Sequence, residues 1–249
     1  MTYVIHGATG AQGAPLLARL KQSGNSAVAA VRNTAAVKGV PAVAVDNASV
    51  DSLAAAYEGA AGVFIHLPVV SEADRLQYAR NIAQAITRAK PKRVVISTSG
   101  WVVDEPNSPL QSPPESAIST LIREVQQTGV SLAVVAPRLF FENLLLPVVI
   151  GPVKAEGILR YPLGADYSVS WVSHLDVAEA VERLLQDVSV TGVVGVGQLP
   201  AVTGEDLAQG FARYLGRPVS FDSLAPDAFG RMIAPLFGAG AAAGVVAGY

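Results

Sequence analysis

Six short apolar runs, separated by amphipathic segments, constrain this chain more than any other feature of its sequence. "TYVIHG", "AVAAVR", "PAVAVD", "GVFIHLP", "RVVISTSG" and "SLAVVAP" are nearly unbroken apolar stretches of strand length. Such strands belong in a sheet covered on both faces, because a half-solvated sheet would alternate polar with apolar residues. Between them, "SEADRLQYARNIAQAITRAKP" opens on Ser71 with Asp74 as its capping partner. It then sets Leu76, Ala79, Ala83 and Ile86 at helical spacing until Pro91 ends the run. Ile118, Leu121, Ile122 and Val125 repeat the pattern in "ESAISTLIREVQQTG". This alternation predicts right-handed crossovers and an α/β fold, a Rossmann-type doubly wound parallel sheet.

The rhythm stops after residue 138. "RLFFENLLLPVVIGPVKAEGILRYPLGADYSVSWVSH" is rich in aromatics, Pro and Gly and has no long periodic segment. A helix is expected from Asp176, then a strand-like "GVVGVGQ", a helix capped by Thr203 with Asp206, and "GRPVSFDSL". We therefore expect a nucleotide-binding core over 1–138. Residues 139–249 form mainly a smaller C-terminal substrate lobe, with 170–198 re-entering the core. The proline-dense stretch "DEPNSPLQSPPES" at 104–116 lies inside the core and reads as a loop over a site, not as a domain boundary.

At 249 residues, 51% of them hydrophobic, the chain can bury a sizeable core. A net charge of −2 gives no basic surface for nucleic acid. With no cysteine, thiolate metal sites and cysteine nucleophiles are excluded. The three histidines, His6, His66 and His174, are far apart in sequence, so no metal site is expected. The first residues enter a strand without the basic and apolar regions of a signal peptide, which favours the cytoplasm. The uncharged tail "MIAPLFGAGAAAGVVAGY" is too short and too rich in glycine for a membrane span. It is expected to pack as a helix on the body, or on a second copy in a homodimer.

Within "GATGAQG", Gly7, Gly10 and Gly13 follow the first strand and open a helix near Ala11. In a dinucleotide turn Gly7 makes the tight bend, Gly10 lets backbone approach the pyrophosphate, and Gly13 brings helix against strand. At the end of the second strand, where an acidic residue would accept from a ribose 2′-hydroxyl, the chain has Arg32. A guanidinium suits a 2′-phosphate, so NADP(H) is preferred, with NAD(H) as the alternative. Asp46 and Asn47 in "VAVDNAS" close the third strand, where a side chain can reach adenine or cap the next helix.

"GATGAQG", "VRN", "GVFIHLP", "RVVISTSG", "GVSLAVVAPRLFFEN" and "WVSHLDVAEAV", in this order, resemble the NmrA-like branch of the atypical short-chain dehydrogenases/reductases. The resemblance implies that Gly7, Thr9, Gly10, Gln12 and Gly13 meet the phosphates and Arg32 the 2′-phosphate. It implies that His66, Leu67, Pro68, Ser97 and Thr98 flank the ribose and nicotinamide, and that substrate enters a cleft between core and C-terminal lobe. Members of the branch include quinone and enone reductases, tailoring enzymes of aromatic natural products, and non-catalytic sensors of NADP redox state.

The chain departs from the wider superfamily in one chemical respect. From Trp101 to Pro137 it has no tyrosine, lysine or histidine, so the Tyr-Lys proton-donating pair is absent. A lysine common in the branch on the helix at "ESAISTLIREV" is absent as well. Ketone reduction leaves a basic alkoxide and profits from a positioned acid by roughly 10²–10⁴-fold, whereas a hydroquinone anion needs no strong donor. His66 and His174 are the candidate donors. Trp101, Phe140, Phe141, Asn143, Tyr161 and Tyr167 are the candidate substrate contacts, with one of the two phenylalanine rings expected in the core. Three functions compete: an NADP(H)-dependent reductase of a quinone or polycyclic aromatic, a redox-sensing regulator, and a tailoring monooxygenase acting through a hydroquinone and O₂.

Overall fold

The computed structural model describes residues 2–249. The first half runs β1 (Thr2–His6), α1 (Gly13–Gln22), β2 (Ser26–Val31), β3 (Ala42–Ala44), α2 (Val50–Tyr57), β4 (Gly62–His66), α3 (Glu72–Ala89), β5 (Arg93–Ser97), α4 (Ala117–Gln127) and β6 (Ser131–Pro137). Then follow β7 (Leu139–Phe140), α5 (Pro147–Glu156), β8 (Ile158–Tyr161), β9 (Trp171–Val172), α6 (His174–Gln186) and β10 (Gly192–Val196). The chain continues through α7 (Gly204–Leu215), β11 (Ser220–Ser223), α8 (Pro226–Phe237) and α9 (Ala239–Val246).

Seven strands form one parallel sheet in the order β10-β6-β5-β4-β1-β2-β3. All six apolar runs are strands of this sheet, and "GVVGVGQ" supplies the seventh. Ile5 is in register with Ala29 on β2 and Phe64 on β4, and all three are fully buried. That explains the absence of polar alternation in the sequence. Helices α2, α3 and α4 pack side by side over one face, and α1 packs with α6. Strand order reverses between β1 and β4, which opens the crevice at their C-terminal ends where such sheets hold ligands.

The chain divides into two compact units, one made of the residues up to Pro137 with His174–Val196, the other of Arg138–Ser173 with Gly197–Tyr249. In the first unit, polar contacts fix the late segment. Arg19 Nε donates to Glu182 at 2.5 Å, and the Ser23 hydroxyl bonds the same carboxylate. Arg93, wholly buried at the start of β5, donates to the carbonyls of Leu184 (2.8 Å) and Val190 (2.5 Å) and to Ser131 Oγ (2.8 Å). A buried guanidinium is tolerable only when its donors are satisfied in this way, so Arg93 fixes both α6 and its exit loop.

The second unit packs Leu144, Val149, Leu159, Trp171, Phe229 and Ile233 into its own core. Thr203 and Asp206 cap α7 reciprocally, as their spacing predicts. Helix α5 carries no readable periodicity because Gly151 and Pro152 lie within it and its burial is restricted to Val149 and Val153. Two helices start off the expected residue: α1 at Gly13 and not near Ala11, α6 at His174 and not at Asp176. The tail is helical, but Gly238, at φ +85°, splits it into α8 and α9. Among the described residues no helix is long and apolar enough to cross a membrane.

Candidate functional site

The glycine turn connects β1 to α1. Gly7 sits at φ +57°, and the Gly10 N–H closes the bend on the Gly7 carbonyl at 2.8 Å. A Cβ on Gly13 would lie 2.3 Å from that carbonyl oxygen, so helix and strand meet closer than any side chain allows. A Cβ on Gly10 would be 3.2 Å from the same atom, a tight but not prohibitive contact. Gln12, at the N-cap, makes no side-chain cap bond, and the first turn of α1 holds no acidic residue. Thr9 and Ala11 are exposed on the rim. The turn therefore presents unblocked backbone and the positive end of a helix, a cradle that fits a pyrophosphate.

The Gln12 side chain does something different from contacting phosphate. Its Nε2 donates to Ser99 Oγ at 2.9 Å and its Oε1 accepts from Ser97 Oγ at 2.7 Å, while the Ser99 N–H donates to Ser97 Oγ at 3.1 Å. The amide thus clamps the glycine turn to the end of β5, where Ser99 is held at φ +55°. The Gln12 amide is shared between the Ser97 and Ser99 hydroxyls. Nearby, Thr98 Oγ1 and His66 Nε2 are shielded and have no hydrogen-bond partner, and after β3 the same holds for Asn47 Oδ1. Buried polar atoms left open in this way are groups waiting for a ligand or water. Leu67 is buried and Pro68 half-buried beside them.

Arg32 follows β2 directly, is exposed, and makes no hydrogen bond or ion pair with its neighbours. Asp46 Oδ1 accepts from the Ala48 N–H at 2.9 Å, so it shapes the turn before α2, and Ser49 caps that helix. Asn47 gives its carbonyl to Asn81 Nδ2 at 2.9 Å and keeps its own amide oxygen open. Trp101 is half-buried, with the Arg75 guanidinium 5.1 Å from its ring centroid.

All three histidines fall in the first unit. Burial holds His66 below its ordinary value, the backbones of Leu67 and His6 oppose that shift, and the charge of His174 at the head of α6 adds to it. At neutral pH His66 is therefore a neutral imidazole and not a strong acid. His6, which the sequence offered no role, is buried at the end of β1 with Nε2 2.7 Å from the Tyr57 hydroxyl. Burial, helped by His66, pushes its pKa down to about 3. Only the strand assignment could have flagged His6, as the one polar residue of β1 next to the turn.

In the second unit Phe140 is buried, and Phe141 is half-buried and stacked on Trp171 with centroids 5.6 Å apart. Phe141 and Leu144, with Leu207, Phe211 and Tyr214 of α7, line a groove of about 370 Å³. Tyr167 is exposed. Tyr161, a candidate substrate contact, is fully buried and hydrogen-bonded to the Tyr249 hydroxyl. Its ring fills the core of the unit, because strand β8 turns Leu159 and Tyr161 inward together. The Asn143 side chain reaches both phenols and opposes the upward shift that burial imposes on them. Among the described residues no three His, Cys, Asp or Glu side chains gather as a metal site would need.

A parallel sheet of this order, with an open glycine turn at its first strand–helix junction, defines a Rossmann-type protein built to hold a dinucleotide. Within that class the chain belongs to the NmrA-like family, whose model matches residues 1–243. It is 28% identical over 224 residues to an NAD(P)H azoreductase of Xenophilus azovorans, covering 88% of this chain and 75% of that one. It is 29% identical over 233 residues to a (4-alkanoyl-5-oxo-2,5-dihydrofuran-3-yl)methyl phosphate reductase of Streptomyces griseus, covering 90% and 78%. The triphenylmethane reductase of a Citrobacter species has the same fold, with a TM-score of 0.80 at 17% identity, covering 100% of this chain and 90% of that one. An NADPH-dependent quinone oxidoreductase of Escherichia coli aligns with a TM-score of 0.79 at 19% identity, covering 100% and 89%.

Proposed function

We propose that the protein is an NAD(P)H-dependent oxidoreductase, with NADP(H) preferred, that transfers hydride to a quinone or polycyclic aromatic ring without a Tyr-Lys pair. The observation that carries this is the open glycine turn with an unpaired Arg32 at the end of β2. The backbone of Gly7, Thr9, Gly10 and Gly13 would hold the pyrophosphate, and Arg32 the 2′-phosphate. Asp46 and Asn47 stand at the adenine side. Leu67, Pro68 and Thr98 stand at the ribose and nicotinamide side, with the Thr98 hydroxyl free to bond the ligand.

When bound, the cofactor supplies a hydride, the chain's own residues supply position, and water supplies the proton. Hydride and one proton convert a quinone to its hydroquinone; the hydroquinone anion is weakly basic and stable enough to persist until water protonates it, so no strong acid has to be positioned beside it. His66, held neutral by burial, can assist by donating a hydrogen bond to the developing oxyanion while keeping its proton, with His174 as the second candidate. The names of the relatives, an azoreductase and reductases of quinones and triphenylmethanes, support an electron-poor conjugated acceptor. In this reading the partner is a small aromatic molecule, the compartment is the cytoplasm, and a homodimer would form over the uncharged tail.

NADPH consumption against a panel of quinones and aliphatic ketones, with and without oxygen, tests the proposal. Turnover of quinones alone supports it. Turnover that requires O₂ and yields an oxygenated product favours the monooxygenase, while tight NADP binding without any turnover favours the redox sensor. The sensor reading draws on the Tyr- and Lys-free stretch from Trp101 to Pro137.

A further inference from the structure

The side chain of Tyr249 sits in the second unit as a bound ligand would. Its ring meets Tyr161 edge-on with centroids 5.7 Å apart and Phe229 at 5.9 Å. Its hydroxyl is hydrogen-bonded to the Tyr161 hydroxyl, and the Asn143 side chain lies close enough to lower the pKa of both phenols. On its other side Tyr161 leans on Trp171 at 5.6 Å, and the buried indole N–H of Trp171 has no partner. Two rings, a hydroxyl and a nearby amide thus face one phenol, a set that recognises a phenol of similar size.

The segment that carries Tyr249 is weakly held. Helix α9 follows Gly238 at φ +85°, has no side-chain cap, and buries only Ala242. Two of its eight residues are glycine. A helix this short is marginal alone, and glycine lowers it further. Its other anchor is Val246, seated so closely on Gly230 that a Cβ there would come within 2.6 Å of it. Opening of such a segment costs far less than unfolding the unit.

We propose that the box filled by Tyr249 is a binding site for a phenolic or hydroquinone ring, which enters as α9 withdraws about Gly238 and takes over the Tyr249 hydroxyl's contacts with Tyr161 and Asn143. The proposal rests on the reductase reading only for the choice of an aromatic ligand. Ligand affinity in the parent chain is reduced by the fraction of time the tail is open. A ring without a hydroxyl binds less well, because it leaves the Tyr161 hydroxyl and the Asn143 amide without a partner.

The test uses the full chain without nucleotide, p-cresol as the probe and toluene as its control. Calorimetry and amide exchange of residues 239–249 are both read. In the parent chain p-cresol should bind and speed exchange across 239–249. In Tyr249→Ala it should bind ~10-fold or more tightly, since no tail competes. In Tyr249→Ala/Tyr161→Phe the preference for p-cresol over toluene should fall. If the parent chain neither binds p-cresol nor loosens 239–249, the proposal is overturned, even where Tyr249→Ala binds, because the cavity is then made by the substitution. Should Tyr249→Ala fail to fold, the exchange measurement on the parent chain decides by itself. Nucleotide is absent throughout, so failure here leaves the reductase proposal standing, and failure of NADPH binding leaves this result unaffected.

Discussion

A Cβ placed on Gly7 would lie 2.3 Å from Nε2 of His66, so the end of β4 walls the glycine turn of β1 from behind. Gly7 is doubly fixed, by this contact and by its φ of +57°. The three glycines of the turn are consequently not equivalent, and substitution should separate them.

Gly13→Ala should lower stability by about 1–3 kcal/mol, because its methyl group would press on the Gly7 carbonyl. Gly10→Val should fold nearly normally and lose nucleotide, because its side chain enters the space meant for the pyrophosphate. Chemical denaturation and NADPH titration of both variants check the pair. Normal NADPH affinity in folded Gly10→Val would remove the dinucleotide reading of the turn.

Arg32→Ala should weaken NADPH by ~10-fold, about 1.4 kcal/mol, and leave NADH unchanged. The affected contact is made only with the 2′-phosphate. Equal affinities for the two nucleotides in the parent protein would contradict the assignment.

The pair His6–Tyr57 predicts a pH dependence of stability. His6 titrates near 6.5 when unfolded and near 3 when buried, so below pH 6.5 the unfolded chain binds the extra proton. Its stabilising contribution is complete above that pH and falls by ~1.4 kcal/mol per unit on acidification towards 3, about 2 kcal/mol by pH 5. Urea unfolding at pH 7.5 and pH 5 should show this loss in the parent and a smaller one in His6→Gln. Tyr57→Phe, which leaves His6 Nε2 without a partner, should cost about 1–3 kcal/mol at neutral pH. Equal pH sensitivity in parent and His6→Gln would refute the account.

Replacing His66 or His174 by Ala should reduce quinone turnover modestly, within ~10-fold, with NADPH affinity held. A hydroquinone anion can take its proton elsewhere. Aliphatic ketones should remain inert throughout. Ketone turnover matching that of quinones would require a strong acid in place of the missing Tyr-Lys pair and would overturn this account.

The sheet was legible because its strands are buried on both faces, so the apolar runs themselves marked six of its seven strands. Ser71 and Thr203 marked helix starts by capping chemistry that is local in sequence. The glycine turn was legible because it works through backbone at a fixed distance from a strand end, and the position of Arg32 directly after β2 was legible for the same reason. Contacts between residues far apart in sequence were not. Neither Gln12 with Ser97 and Ser99, nor His6 with Tyr57, leaves a spacing to recognise, and Tyr161 and Tyr249 meet 88 residues apart. Helix α5 was hidden by its internal Gly151 and Pro152.

The clamp that Gln12 makes on Ser97 and Ser99 means that the turn is not a detachable module. Its amide spends both polar atoms on hydroxyls that lie 85 and 87 residues further along the chain. A redesign that exchanges "GATGAQG" for the turn of another protein, to alter cofactor choice, would release Ser99 from its left-handed backbone and loosen the β5 rim. Cofactor engineering of this protein must therefore transplant turn and rim as a matched pair, or keep Gln12 and recode only around Arg32.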